Sequence, residues 1–211
     1  MGMFDAVVSN LFRRAEPIVD AEGLAAFMDS RAAFMAQKCV VEFCRVRAGV
    51  YWQKLFSEKD FQDALTKSRW LSYPPAFAMI AEMVEGVLRE PAGLRRRKLP
   101  GVLVHLAGEV FTRYPVRVEA DEVFWNDAAK LVAERLDAVQ ATPPRPVRDI
   151  PDPTARIVFD VLPMHKDIVT NDYDYIFNNL RMNLLRAHED LVASADLGAV
   201  ADDLLGRDSG S

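Results

Sequence analysis

The sequence predicts an all-α protein, an irregular bundle of about eight helices around a long central helix over residues 20–56. Apolar residues recur every three or four positions along most of the 211-residue chain, which is the spacing of one helical face. Only residues 116–118 resemble a strand, and this fragment is too short to build a sheet. With 50% hydrophobic and 27% charged residues, the chain is too apolar for disorder and can bury a sizeable core.

The predicted central helix begins after Asp20, whose carboxylate suits an N-cap. Beyond Cys39 its apolar residues cover most of the helix surface, which is typical of a helix packed on several sides. Gly49 would lie inside this helix, and we expect another helix to approach it closely. Cys39 and Cys44 fall about 140° apart around the helix axis, so we expect two small buried hydrophobic residues. One apolar row repeats every seven residues: Phe27, Phe34, Val41, Ala48 and Leu55.

The remaining helices are predicted from capping and breaking residues. Ser57 is expected to cap the second helix, and Tyr73-Pro74-Pro75 to break it and start another. Pro91–Gly93 should end that third helix, and Asp121 should cap a later one. Near the C-terminal end, we expect Asp152 to cap a short helix and Asn171 to cap the last long one.

Proline content divides the chain into three parts and a tail. Residues 142–153 contain five of the 12 prolines, a density that neither a helix nor a central strand tolerates. We therefore predict a main helical domain over 1–141, an extended connector over 142–153, and a C-terminal helical segment over 154–205 packed on the first part. Residues 206–211 are predicted to form a flexible tail.

The histidine, serine and glycine spacings match no common catalytic or metal-binding motif. His105, His165 and His188 form no H-x-x-x-H, H-E-x-x-H or E-x-x-H pair, so two ligands do not fall on one helical face. Neither a G-x-S-x-G elbow nor a glycine-rich phosphate loop occurs. We expect no metal and no cofactor.

Charge and apolar runs predict a cytoplasmic protein that does not bind nucleic acid. The net charge of −5 is opposite to the clustered positive charge that phosphate binding needs. The sequence has no apolar run of about 18 residues that could cross a membrane. The apolar stretch Ala6–Val8 is interrupted by Ser9 and Asn10, which does not fit a secretory signal peptide.

The last long helix carries the first candidate binding residues, Tyr173, Asn179 and Asn183. Asparagine is a poor helix former, yet Asn179 and Asn183 lie one turn apart on one face of a predicted helix. These three residues could contact a partner or a ligand. The alternative is a buried polar network that determines how the last helix docks.

Arg45 and Trp52 form a second candidate, because an arginine beside aromatic residues could line a pocket for an anionic ligand. The alternative is an intramolecular ion pair, since Glu42 lies three residues before Arg45 on the same helix.

Arg95, Arg96, Arg97 and Lys98 form a basic connector that could bind an anion or a lipid headgroup. An amphipathic helix predicted over Phe4–Arg14 could assist it in peripheral membrane contact. The alternative for the connector is a solvated loop. The alternative for the helix is packing on its own core or on another subunit, and the seven-residue apolar row also leaves a homodimer open.

These features favour a non-enzymatic helical protein that binds a protein partner or an apolar small ligand in a regulatory or scaffolding role. Helix bundles hold ligands between their helices. One alternative is a small hydrolase-type enzyme, with His165 or His188 as general base and a carboxylate such as Asp167 or Asp174 orienting it. The other alternative is a peripheral membrane protein.

Overall fold

The computed structural model describes residues 17–165, 169 and 171–207, and within them the protein is all-α, as predicted. Short 3₁₀ turns at Gly49–Tyr51, Gly93–Lys98, Val139–Ala141 and Val147–Asp149 join some of the helices. The α-helices are α1 (Ala21–Ala48), α2 (Trp52–Ser57), α3 (Lys59–Ala92), α4 (Leu99–Thr112), α5 (Glu122–Asp137), α6 (Ala155–Asp160), α7 (Tyr173–Ser194) and α8 (Leu197–Arg207).

The 34-residue helix α3 organises the bundle. At 1.5 Å per residue it is about 51 Å long, and it packs against α1, α5, α8, α4, α6 and α7. Its middle, from Ser72 to Glu85, is buried without interruption. Helices α1, α4, α5, α7 and α8 contribute the other large parts of the same core. Any cavity or charged group beside the middle of α3 therefore lies close to the centre of the molecule.

The predicted helix over 20–56 is wrong at its C-terminal end, because α1 stops at Ala48. Gly49 adopts φ 53° and ψ −130°, a conformation that favours glycine, and its N–H donates to the carbonyl oxygen of Val46. No atom lies within 4 Å of the position that a Cβ would take there, so close approach of another helix does not explain this glycine. The chain instead turns at Gly49 and enters α2.

The predicted break at Tyr73-Pro74-Pro75 is also wrong, because α3 continues through both prolines. Each proline removes an i→i−4 hydrogen bond and costs about 3 kcal/mol in a helix interior. Both prolines are fully packed in the core, and burial of the surrounding apolar surface outweighs that cost. The sequence signal for a break is therefore overridden by tertiary packing.

The caps are partly as predicted. Asp20 accepts a hydrogen bond from Gly23 N–H at 2.7 Å, and Asp121 accepts one from Phe124 N–H at 2.8 Å, which confirms both. Three predicted caps are wrong. Glu58, Thr154 and Asp172 occupy the N-cap positions assigned to Ser57, Asp152 and Asn171, and none of the three caps with its side chain.

Two further predictions concern the ends of the chain. Helix α8 includes Gly206 and Arg207, the first two residues of the predicted tail. The predicted N-terminal helix over Phe4–Arg14 and residues 208–211 lie outside the described residues.

Two small polar groups lie within the apolar core. Tyr73 and Tyr114 both donate to Asp29 Oδ1, the former at 2.6 Å, and aromatic rings surround them. Cys39 and Cys44 are buried and free, as predicted. Burial raises the pKa of each thiol from 9.0 to about 12, with the neighbouring Cys44 adding to the effect on Cys39. Both thiols are therefore inert at neutral pH.

Candidate functional site

A cavity of about 880 Å³ opens between α3, α5, α6 and the segment that joins α5 to α6. We call this segment, residues 138–154, the connector. This volume falls in the range of about 300–1,000 Å³ typical of small-molecule sites. His188 of α7 reaches one edge of it. Most of its lining is apolar and includes Met83, Val87, Leu131, Val139, Val147 and Ile157.

The connector closes one side of this cavity by lying directly on α3. Gly86 marks the crossing point, since a Cβ at that position would lie 3.4 Å from the Cβ of Pro144. The connector has little regular secondary structure, with single 3₁₀ turns at Val139–Ala141 and Val147–Asp149. Its backbone carbonyls at Val139, Thr142, Ile150 and Asp152 accept hydrogen bonds from side chains instead.

Arginines provide those partners, and Glu82 of α3 holds two of them. The Glu82 side chain is only 5% exposed. Arg135 of α5 donates to Glu82 and to the carbonyl oxygen of Ile150. Arg145 of the connector donates to the two Glu82 oxygens at 2.7 and 2.9 Å and to the carbonyl oxygen of Asp152 at 3.0 Å. One buried carboxylate thus positions two arginines, and these bind the connector.

Glu85 of α3 forms a second, parallel arrangement one turn further along. Arg89 Nε donates to its two oxygens at 2.9 and 2.8 Å. The other Arg89 nitrogens donate to the carbonyl oxygens of Thr142 at 2.8 Å and Val139 at 2.6 Å. Gln140 donates to Glu85 Oε1 at 2.9 Å and also to the carbonyl oxygen of Arg96. Glu85 therefore links α3, the connector and the turn before α4.

The charges of this network are mutually compensated. Desolvation lowers the pKa of Arg135, while the charge of Glu82 and its hydrogen bond oppose that shift. The hydrogen bond to Glu82 is the main cause that raises the pKa of Arg145. Because both carboxylates are occupied by arginine donors, they are poorly placed to accept a proton from a substrate. The rest of the lining is mainly apolar, and Glu134, Arg156 and His188 also contribute to it.

Among the predicted catalytic residues, the two histidines lie in different surroundings. His188 is half-buried at the cavity edge, whereas His165 is exposed on the segment before α7. Asp167 lies outside the described residues. An acid–base role for these residues stays a prediction.

The predicted contact face on α7 is divided between two sides of the helix. Tyr173 packs on Phe159 and Phe177, with ring centroids 5.9 and 6.3 Å away. Asn183 is buried, and its amide donates to the backbone and side-chain oxygens of Asn179 at 2.7 and 2.8 Å. Six residues of helix place Tyr173 about 120° from Asn179. The asparagines form a pair within their own helix, and a binding role for the three residues stays a prediction.

Arg45 and Trp52 meet where α1 ends and α2 begins. The Arg45 guanidinium lies 5.0 Å from the centre of the Trp52 ring, a cation–π arrangement. Val50 and Tyr51 between them are exposed. The cavity lining does not include either of the two predicted residues.

Arg95, Arg96, Arg97 and Lys98 form most of the 3₁₀ turn Gly93–Lys98 between α3 and α4. All four are exposed, as is Leu94. Arg95 forms an ion pair with Asp202 of α8.

Sequence reasoning missed the residues that build the cavity network. Glu82 and Glu85 interrupt an otherwise apolar run in α3, and carboxylates are rarely buried unless they are paired. The sequence therefore indicated that both glutamates have buried partners. Arg89 lies four residues after Glu85 on the same helix, a spacing at which opposite charges pair, so the sequence indicates this contact. Arg135 and Arg145 come from other parts of the chain, and nothing in the sequence indicates that they meet Glu82.

No relative of this chain was found among known proteins. No family model, curated protein or solved structure matches this chain. Across the part of the chain that the structure describes, every helix is too short or too polar to cross a lipid bilayer. In that same part, no group of three or more His, Cys, Asp or Glu residues could hold a metal ion.

Proposed function

We propose that this protein binds an apolar small molecule in the cavity between α3, α5, α6 and the connector, without catalysing a reaction on it. The observation that carries the proposal is the cavity itself, about 880 Å³ with a mainly apolar lining. Protein interiors are close-packed, and empty space of this size beside a core is uncommon. Filling it with an apolar ligand would remove further apolar surface from water.

The arginine network supports binding because it holds the cavity open. Arg89, Arg135 and Arg145 fix the connector at Val139, Thr142 and Ile150, so the wall exists before a ligand arrives. Preformed sites avoid the free-energy cost of ordering a loop when the ligand binds. If ligand binding changes the conformation of the connector, proteins that contact the connector would bind it differently, and this would be a regulatory role.

A tryptophan scan at two valines tests the proposal. Val87 of α3 lines the cavity and is half-buried, so Val87→Trp should fill part of it. Val123 of α5 is 66% exposed and outside the cavity, so Val123→Trp is the matched control. The full-length protein is titrated with an apolar fluorescent dye such as Nile red. We expect Val87→Trp to raise the dissociation constant about tenfold or more, and Val123→Trp to leave it within about twofold.

Native mass spectrometry of protein purified gently from its own host gives an independent measurement. A discrete mass above 23.7 kDa that Val87→Trp loses and Val123→Trp keeps would support the cavity as the site. Equal dye binding by both variants, with melting temperatures equal to wild type, would show that the ligand binds elsewhere. A wild-type protein with neither dye binding nor a retained mass would overturn the proposal.

A further inference from the structure

The turn Gly93–Lys98 combines an exposed apolar side chain with consecutive positive charges, and we call it the basic turn. Leu94 is fully exposed at its beginning, and Arg95, Arg96, Arg97 and Lys98 follow it directly. A leucine in such a position contributes nothing to the core, and it leaves apolar area in contact with water.

The 3₁₀ geometry places Leu94 and Arg97 on the same side of the basic turn. A 3₁₀ helix has three residues per turn, so side chains at i and i+3 eclipse. Arg95 points to a different side, where it pairs with Asp202 of α8. Arg96 follows on the third side and is exposed. Leu94 and Arg97 thus form an outward face whose charge Asp202 does not neutralise.

The body of the protein holds this face in place. The Gly93 N–H donates to the carbonyl oxygen of Glu90, and Gly93 itself turns the chain with φ 55°. The carbonyl oxygen of Arg96 accepts from Gln140, and Arg95 is tied to α8. A rigid surface loses little conformational entropy when it binds.

We propose that the basic turn docks on an anionic lipid surface. Leu94 enters the boundary between headgroups and acyl chains, and Arg97 on the same face pairs with lipid phosphates and carboxylates. Binding of this kind combines buried apolar area with attraction to anionic lipids. Each basic residue near such a surface strengthens binding.

The same features disfavour other occupants. A nucleic-acid backbone is polar and charged, and it offers no apolar contact for Leu94. A second copy of this chain would bring two basic turns together, and like charges repel. An acidic protein partner would use the arginines but would not need lipid, so purified vesicles distinguish it.

Co-sedimentation with vesicles tests the proposal on the full-length protein. One set of vesicles contains equal amounts of phosphatidylcholine and phosphatidylserine, and the other contains phosphatidylcholine alone. We expect binding to the anionic vesicles that weakens as sodium chloride rises, because salt screens the arginines. Leu94→Asp and Arg97→Glu should each lower the vesicle partition coefficient about tenfold.

Two control variants introduce the same acidic residues at other exposed positions. Val118 is 98% exposed and Arg148 has a 71% exposed side chain, so Val118→Asp and Arg148→Glu should bind within about twofold of wild type. All four positions are exposed, and unchanged circular dichroism confirms folding. No binding by the wild type at low salt, or equal binding to both vesicle types, would overturn the proposal. Loss with Arg97→Glu but not with Leu94→Asp would indicate a purely electrostatic anion site, which contradicts lipid insertion.

Discussion

At the scale of single residues, Glu82 is the buried carboxylate that pairs with two arginines near the centre of the molecule. Its side chain is 5% exposed, and it accepts from both Arg135 and Arg145. A buried ion pair adds little to stability over an apolar packing of the same shape. Removal of one partner is strongly destabilising, because it leaves the remaining charges buried and uncompensated.

Replacement of Glu82 by glutamine should therefore be strongly destabilising. Glu82→Gln keeps the size of the side chain but removes its charge and points an amide donor at arginine donors. We expect the free energy of unfolding in urea to fall by about 3–5 kcal/mol. Glu134 is the control, since its exposed carboxylate lies 3.8 Å from Lys130, and Glu134→Gln should cost under about 1 kcal/mol. Equal small losses would show that the network contributes no stability.

The sequence indicated part of this site. Two glutamates within the apolar run of α3 imply buried partners, because an unpaired buried carboxylate is costly. Arg89 could be inferred as the partner of Glu85 from its i+4 spacing. The partners of Glu82 could not, since pairing between α3, α5 and the connector depends on how these elements pack in three dimensions. Among the predicted site residues that the structure describes, only His188 lines the cavity.

At the scale of elements, two helix starts followed local chemistry, whereas three other starts and the middle of α3 did not. Asp20 and Asp121 cap as their side chains predict, because an N-cap involves only the next three residues. Pro74 and Pro75 remain inside α3 because distant apolar residues decide the outcome. Local signals thus located two of the five predicted N-caps, and tertiary packing overrode the proline signal in α3.

Glycine substitutions distinguish a helix terminus from a helix interior. Gly49→Ala places a side chain at φ 53°, and we expect a loss of about 1–2 kcal/mol in the free energy of unfolding. Gly108 lies inside α4 with no atom within 4 Å of an added Cβ. Gly108→Ala should therefore stabilise the protein by up to about 1 kcal/mol. Thermal unfolding of both variants measures these opposite signs, and a stabilising Gly49→Ala would contradict the role assigned to the turn.

At the scale of the whole molecule, the buried thiols and phenols predict loss of stability at alkaline pH. Burial raises the pKa of Cys39 and Cys44 from 9.0 to about 12. Burial, together with the nearby Asp29, also raises the pKa of Tyr114. The folded protein thus holds these protons more tightly than the unfolded chain does. The resulting stability is complete below pH 9.0 and falls progressively as pH rises toward 12.

Urea unfolding from neutral pH to about pH 11 measures this loss. The double variant Cys39→Ala and Cys44→Ala loses packing at every pH, but its stability should fall less steeply above pH 9.0. Tyr114→Phe should act in the same way above pH 10.0, where its phenol would ionise in the unfolded chain. Parallel pH profiles for the wild type and both variants would contradict this assignment.

The fold class of the whole molecule was predictable, and its cavity was not. Periodic apolar residues define helices, and their number limits the class of fold. The path of the connector is set by carbonyls that bind Arg89 and Arg135, which lie 50 and 15 positions away along the chain, and by Arg145, which pairs with Glu82 63 positions away. No local pattern encodes where such a segment will lie.

The Gln140 side chain gives the molecule one more property. Its amide donates both to Glu85, in the cavity wall, and to the carbonyl oxygen of Arg96, in the basic turn. Thermodynamic linkage requires that two sites which perturb a shared group influence each other to the same extent. If each proposed site binds its ligand and binding displaces this amide, occupancy of the cavity and affinity for a charged surface form one reciprocal equilibrium.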